Sequence, residues 1–208
     1  MFSNAEKLSR IPMSLQAWAA LDEDVPGEWV DGNLTEEELP SHLHEFVTAL
    51  LLSALNSWAQ KNYALLFGSE HKIAVSPVRG RKPDISLYPP GKRLPRKESV
   101  SKTPPLLAVE VLSFRPCDVR RDRLEKAQEY AAFGIPWYWL VDPSTQLLEV
   151  FKLGPSGMYA HVLVVGDGVV KVPGLDGFEL NLTEIWDDAG RKLTADDDDT
   201  PVPYSHER

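Results

Sequence analysis

The sequence predicts an α/β domain, and three features carry that reading. The run 106–112 is apolar everywhere except at Glu110, as expected of a strand buried on both faces. Leu43, Phe46, Val47, Leu50, Leu51, Ala54, Leu55 and Trp58 recur at helical spacing and lay a broad apolar stripe along a helix over about 41–60. Within 106–141 the order is strand, loop, helix and aromatic strand, which matches a right-handed crossover between parallel strands.

The remaining elements follow in order. A short helix over 14–20 precedes an acidic turn, and 27–34 reads as a strand entering a hairpin, because Asp31-Gly32 and Gly32-Asn33 suit the positive backbone angles of tight turns. Strands are predicted at 63–67, 71–75 and 84–88, and 89–105 is a loop rich in proline and lysine. Asp118 can cap a helix that runs to about Phe133, where Gly134 and Pro136 end it. The aromatic strand 137–141 turns at Asp142-Pro143-Ser144-Thr145 into a hairpin partner over 147–153, with weaker strands at 159–165 and 169–172. Segment 195–208 holds four consecutive aspartates and little apolar content, so disorder is expected there.

Length suits one domain with appendages: an N-terminal extension 1–26, a core 27–186 and an acidic tail 187–208. No segment has the unbroken apolar length of a membrane span, and the N-terminus lacks a secretory pattern, so a cytoplasmic location without membrane contact is expected. The single cysteine, Cys117, excludes an internal disulfide and a cysteine-cluster zinc site. A net charge of -9 argues against a polyanionic partner until its distribution is considered, because 79–126 holds 13 bases and 6 acids. That local excess suits an enzyme acting on nucleic acid. A solvated basic loop is the alternative, since Lys92, Arg93, Arg96, Lys97 and Lys102 sit among prolines.

Two carboxylates stand out. Strand alternation puts Leu106, Ala108, Glu110 and Leu112 on one face and Leu107, Val109, Val111 and Ser113 on the other, so Glu110 carries charge into one definite layer and needs a partner there. Asp84, after Pro83, opens another short strand, and two acids at adjacent strand positions would offer oxygens to a hard cation such as magnesium. The alternative is a turn-capping Asp84 and a Glu110 paired with an arginine.

The ordered series Pro83-Asp84, Glu110-Val111-Leu112-Ser113, Asp122-Arg123-Leu124-Glu125-Lys126, Tyr130, Gly134-Ile135-Pro136 and Tyr138-Trp139-Leu140-Val141-Asp142 resembles the bacterial, Uma2-like restriction endonuclease family once catalogued as domain of unknown function 820. That family lies within the PD-(D/E)XK nuclease superfamily. The resemblance implies a restriction endonuclease-like core, with a central mixed β-sheet flanked by helices and additional antiparallel hairpins. It also implies hydrolysis of nucleic-acid phosphodiesters, DNA foremost, with magnesium or manganese, and a homodimer. On this resemblance Asp84 and Glu110 are the metal-holding acids and the Val111 carbonyl a further ligand. Leu112 stands where the superfamily has its lysine, and a leucine can neither orient a water nor offset charge on phosphate. The resemblance shifts that role to Lys126 on the following helix, with Gln128 and Tyr130 as helpers. The bland alternative for Lys126 is an i,i+4 pair with Asp122 on a solvated face.

His44 lines up with Val47, Leu51 and Leu55 and so faces inward. In the superfamily an acid of this first helix can hold a water; here His44 or Glu28 would serve, the alternative being a satisfied core histidine. Arg115, Arg120, Arg121 and Arg123 read as phosphate-contact or surface residues. Trp137, Tyr138 and Trp139 read as core and interface, and an edge strand 137–141 with its hairpin, or the N-terminal hairpin, is the expected dimer surface. The rival to a nuclease is a catalytically silent scaffold of the same fold that binds nucleic acid or protein.

Overall fold

Strand β1 (Arg10–Pro12) and helix α1 (Leu15–Ala19) lead into a hairpin of β2 (Glu28–Val30) and β3 (Asn33–Thr35), turned at Asp31 and Gly32 with φ of 51° and 78°. Both angles are positive, which the Asp-Gly pair tolerates and most residues do not. The computed structural model describes residues 10–22, 25–35, 40–114 and 119–193. Ser14 caps α1 through its hydroxyl, which accepts from the Ala17 N–H. Residues 10–22, expected to be an extension, join the first sheet through the pairing of β1 with β3. Trp18 is fully buried beneath Gly80, whose missing side chain leaves room for the indole.

Helix α2 (His42–Asn62) starts at Ser41, whose hydroxyl accepts from the His44 N–H, and ends at Tyr63 in the left-handed region. It buries Val47, Leu51, Leu55, Trp58 and Ala59, the stripe that periodicity predicts. Strands β4 (Leu65–Phe67), β5 (Lys72–Ser76), β6 (Arg79–Arg81), β7 (Ile85–Tyr88), β8 (Val100–Ser101) and β9 (Leu107–Val111) follow. A π-helical turn, Arg121–Lys126, runs straight into α3 (Ala127–Phe133), and Gly134 at φ 90° stops it. The expected Asp118 cap, with Arg115 and Cys117, falls outside the described residues. Then come β10 (Trp137–Asp142), β11 (Leu147–Leu153), β12 (Tyr159–Val165), β13 (Val169–Lys171), β14 (Glu179–Asn181) and α4 (Leu182–Lys192).

Two six-stranded sheets carry the fold, ordered β1-β3-β2-β6-β5-β8 and β12-β11-β10-β9-β7-β4. In the second, β9 and β10 are parallel and the other pairings antiparallel, so the sheet is mixed and its parallel pair brackets the crossover helix. Its two faces differ as alternation requires. Leu107, Val109 and Val111 pack with α2 and α4, whereas Ala108 and Leu112 pack with Tyr130 and with Ile73 and Val75 of β5. Glu110 belongs by parity to that second face, between the main sheet and the layer formed by the first sheet and α3.

Two expectations need correction. The aromatic strand is not an edge: β10 lies between β9 and β11, with Tyr138, Trp139, Leu140 and Val141 buried, because β11 and β12 continue the sheet beyond it. Its aromatic residues are core, and the edges are β12 and β4. The ordered chain also passes 186, since α4 runs to Lys192 and buries Ala189. Segment 195–208 lies outside the described residues.

Candidate active site

Asp84 directly precedes β7, and the pairing of Ile85 with Val109 carried one step further sets Asp84 opposite Glu110. Side chains opposite each other on neighbouring antiparallel strands share one face. The Val111 N–H donates to Asp84 Oδ2 at 2.7 Å, fixing that carboxylate at the end of β9. From the other side of the sheet, His44 Nε2 comes within 3.3 Å of Asp84 Oδ2. Burial alone would lower the His44 pKa, but the hydrogen bond and charge of Asp84 outweigh it and raise it.

Glu110 is buried, and both its oxygens are engaged. The Lys126 ammonium donates to Oε2 at 2.8 Å and the Tyr130 hydroxyl to Oε1 at 2.6 Å. The π-turn presents Lys126 and Asp122 on the same face, and both are buried, at 2% and 4% exposed. An i,i+4 pair between them exists, at 3.3 Å, in the interior and not on a solvated face. Glu28 of β2 completes the surroundings, 3.5 Å from the Lys126 ammonium.

Burial pushes the Glu110 carboxyl well above the usual range, and the charges of Asp122, Asp84 and Glu28 push the same way against Lys126. Asp122 is raised for the same reasons, opposed by Lys126 and Arg121. Glu28 goes the other way: burial resists its charge, but Lys126, Arg81 and Arg121 together hold its pKa at about 2. Two carboxyls of one cluster are thus shifted in opposite directions, Glu110 upward by burial and Glu28 downward by its cations.

Sequence reasoning did not single out the bracing of this cluster. The buried Arg81 guanidinium donates to Glu28 and to both oxygens of Glu129 on α3, at 2.6 and 2.8 Å, tying the first sheet to the helix that carries Lys126. Arg79 reaches Glu129 and Asp31. The available signal was Arg79 and Arg81 flanking a glycine in a short strand, with their partners distant in sequence. Gln128, expected as a helper, is exposed instead. Arg123 pairs with Glu149 at 2.6 Å, and Arg120 is exposed.

The basic segment also divides. Arg79, Arg81 and Lys126 are paired with carboxylates at the site, while the loop with Lys92, Arg93, Arg96, Lys97 and Lys102 leaves β7 at Tyr88, the end away from Asp84. Among the described residues, the bases beside the carboxylates are thus paired with acids, and the exposed bases of the loop lie at the other end of β7. The solvated-loop reading fits Arg93, Arg96, Lys97 and Lys102, which are exposed.

The donor set suits a hard divalent cation. Asp84, Glu110 and the Val111 carbonyl offer oxygen alone, and Asp122 Oδ1, though buried, accepts no hydrogen bond. Among the described residues, no three histidine, cysteine or acidic side chains form a metal-holding group.

A mixed sheet with two acids at adjacent strand ends and a buried lysine beside them defines a restriction endonuclease-like fold. Residues 13–183 match the model of the Uma2 family, described as "Putative restriction endonuclease", and the chain belongs to that family. Among solved structures it is similar to "a putative nuclease belonging to DUF820" from Anabaena variabilis, at 22% identity and a TM-score of 0.68, covering 86% of this chain and 99% of that one. The type IIG restriction endonuclease BpuSI also matches, at 19% identity and a TM-score of 0.38, over 75% of this chain and 18% of that one. No curated protein matches. Among the described residues, no helix is long and apolar enough to cross a membrane.

Proposed function

We propose that the protein is a metal-dependent endonuclease that hydrolyses phosphodiester bonds, with DNA as substrate and magnesium or manganese as cofactor. The observation that carries this reading is the Lys126 ammonium 2.8 Å from Glu110, with Asp84 one register step from Glu110's strand neighbour, although Leu112 fills the superfamily's lysine position. Leu112 is buried in the apolar layer with Ala108 and Tyr138, and the cation arrives from the helix instead. Asp84, Glu110 and the Val111 carbonyl would hold the metal, which supplies Lewis-acid chemistry: activation of a water and neutralisation of phosphate charge.

The protein's own groups do the rest. Lys126 offsets charge that develops on the phosphate, from a buried position where that interaction is strong. Tyr130 fixes the Glu110 carboxylate by its hydroxyl, and the main-chain N–H of Val111 fixes Asp84. His44 acts on Asp84, holding it from the α2 side. A cytoplasmic homodimer fits this reading, with the exposed Val162 and Val164 of the β12 edge as its contact in place of β10.

The test is incubation of the purified protein with supercoiled plasmid and with single-stranded DNA, in manganese, magnesium or chelator, beside an Asp84→Asn variant. Cation-dependent cleavage by the wild type and none by the variant is expected. Cleavage that survives chelator, or is unchanged in Asp84→Asn, would overturn the reading. Binding of DNA without cleavage would favour the silent scaffold.

A further inference from the structure

Both Glu110 oxygens already have donors, so Lys126 and Tyr130 compete with any cation that Glu110 would hold. The Lys126 ammonium has other acceptors in reach: Asp122 Oδ1 at 3.3 Å and Glu28 Oε1 at 3.5 Å. Those two differ. Glu28 takes the Arg81 guanidinium and the Lys82 N–H, whereas Asp122 Oδ1, with Arg121 Nε 3.6 Å away, is buried and accepts no hydrogen bond. That oxygen has two cations within ion-pair distance but no hydrogen bond, and folded proteins keep few buried polar atoms in that state without a use. Asp122 and Lys126 lie four residues apart on one helical face, so rotation about side-chain bonds carries the ammonium from one carboxylate to the other with the backbone still.

Resting on the cation site proposed above, we propose that Asp122 is a positioning residue whose Oδ1 receives the Lys126 ammonium when Glu110 engages a divalent cation. The lysine then stays buried and charged beside the substrate phosphate and ceases to compete for Glu110. The step is a transfer of hydrogen bonds and breaks no covalent bond.

Manganese affinity, measured by calorimetry on the full chain, tests this with wild type, Asp122→Asn, Lys126→Met and the double variant. Asp122→Asn should weaken binding on the order of tenfold when Lys126 is present and by no more than about twofold when it is methionine. Asp122→Glu, which keeps the negative charge that Asp122→Asn removes, should bind within about threefold of wild type. An equal loss in both backgrounds would make Asp122 a ligand in its own right and overturn the handover, as would no loss in either. A second measurement needs no Asp122 variant: in wild type carrying ¹⁵N-lysine, the Lys126 ammonium resonance, assigned by its absence from Lys126→Met, should move when magnesium is added. An unmoved resonance overturns the proposal. Wild type that binds no manganese removes the cation site and the handover together, whereas binding with an additive cycle removes the handover alone.

Discussion

The Lys126 ammonium lies 2.8 Å from Glu110 Oε2, although sixteen residues and a change from strand to helix separate them. Along β9 the positions that flank Glu110 on its face are Ala108 and, just past the strand's end, Leu112, and both are buried in the apolar layer. The π-turn supplies the charge from outside the sheet, and such turns recur at functional sites because they aim side chains that a regular helix would direct elsewhere.

Replacing Lys126 by methionine should cut plasmid cleavage by about 10²–10³-fold, the size of effect seen when one preorganised charge-stabilising group is lost. The fold should lose about 3 kcal/mol or more in urea, because Glu110 would be left buried without its cation. Cleavage at the wild-type rate would take Lys126 out of the mechanism.

Asp84→Asn should lower manganese affinity at least tenfold, on the order of what the loss of a positioned metal-site group costs. Circular dichroism should stay unchanged, since asparagine can still accept from the Val111 N–H. Undiminished calorimetric affinity would move the cation elsewhere.

His71 gives the fold a pH dependence. Its ring stacks on Phe67 at 4.1 Å and meets the Tyr88 hydroxyl at 3.0 Å, and burial lowers its pKa from 6.5 to about 4. The unfolded chain therefore takes up a proton near 6.5 that the folded chain refuses until about 4, so stability falls as pH drops through that window. His71→Gln should flatten the urea midpoint between those two pH values. A midpoint that falls equally in variant and wild type would assign the dependence to other groups.

Gly80→Ala should destabilise the protein by about 1–3 kcal/mol, through overpacking. A Cβ there would stand 2.4 Å from the Trp18 ring, and the fully buried indole has nowhere to retreat. Chemical denaturation measures it; a change under about 0.5 kcal/mol, the range of surface substitutions, would show that the α1 segment yields.

Self-association through the β12 edge should appear in light scattering as about twice the 23.3 kDa monomer mass, and Val164→Lys should abolish it by charging that edge. A wild-type monomer at micromolar concentration would remove the dimer.

Local periodicity was enough to place Glu110 on a defined face, to mark the inward stripe of α2, and to put turns at Asp31-Gly32 and Gly134, because each depends on residues near in sequence. The family resemblance of the motif series, rather than periodicity, pointed to Asp84, Glu110 and Lys126. What surrounds them was decided in three dimensions. β10 became internal because β11 and β12 extended the sheet, Asp122 was buried because the π-turn lies between layers, and Glu28, Arg81 and Glu129 met across about fifty residues or more of chain. Alternation along a strand says which way a side chain points; what it meets there depends on which distant layer covers that face, and only packing settles the charge balance of a buried site.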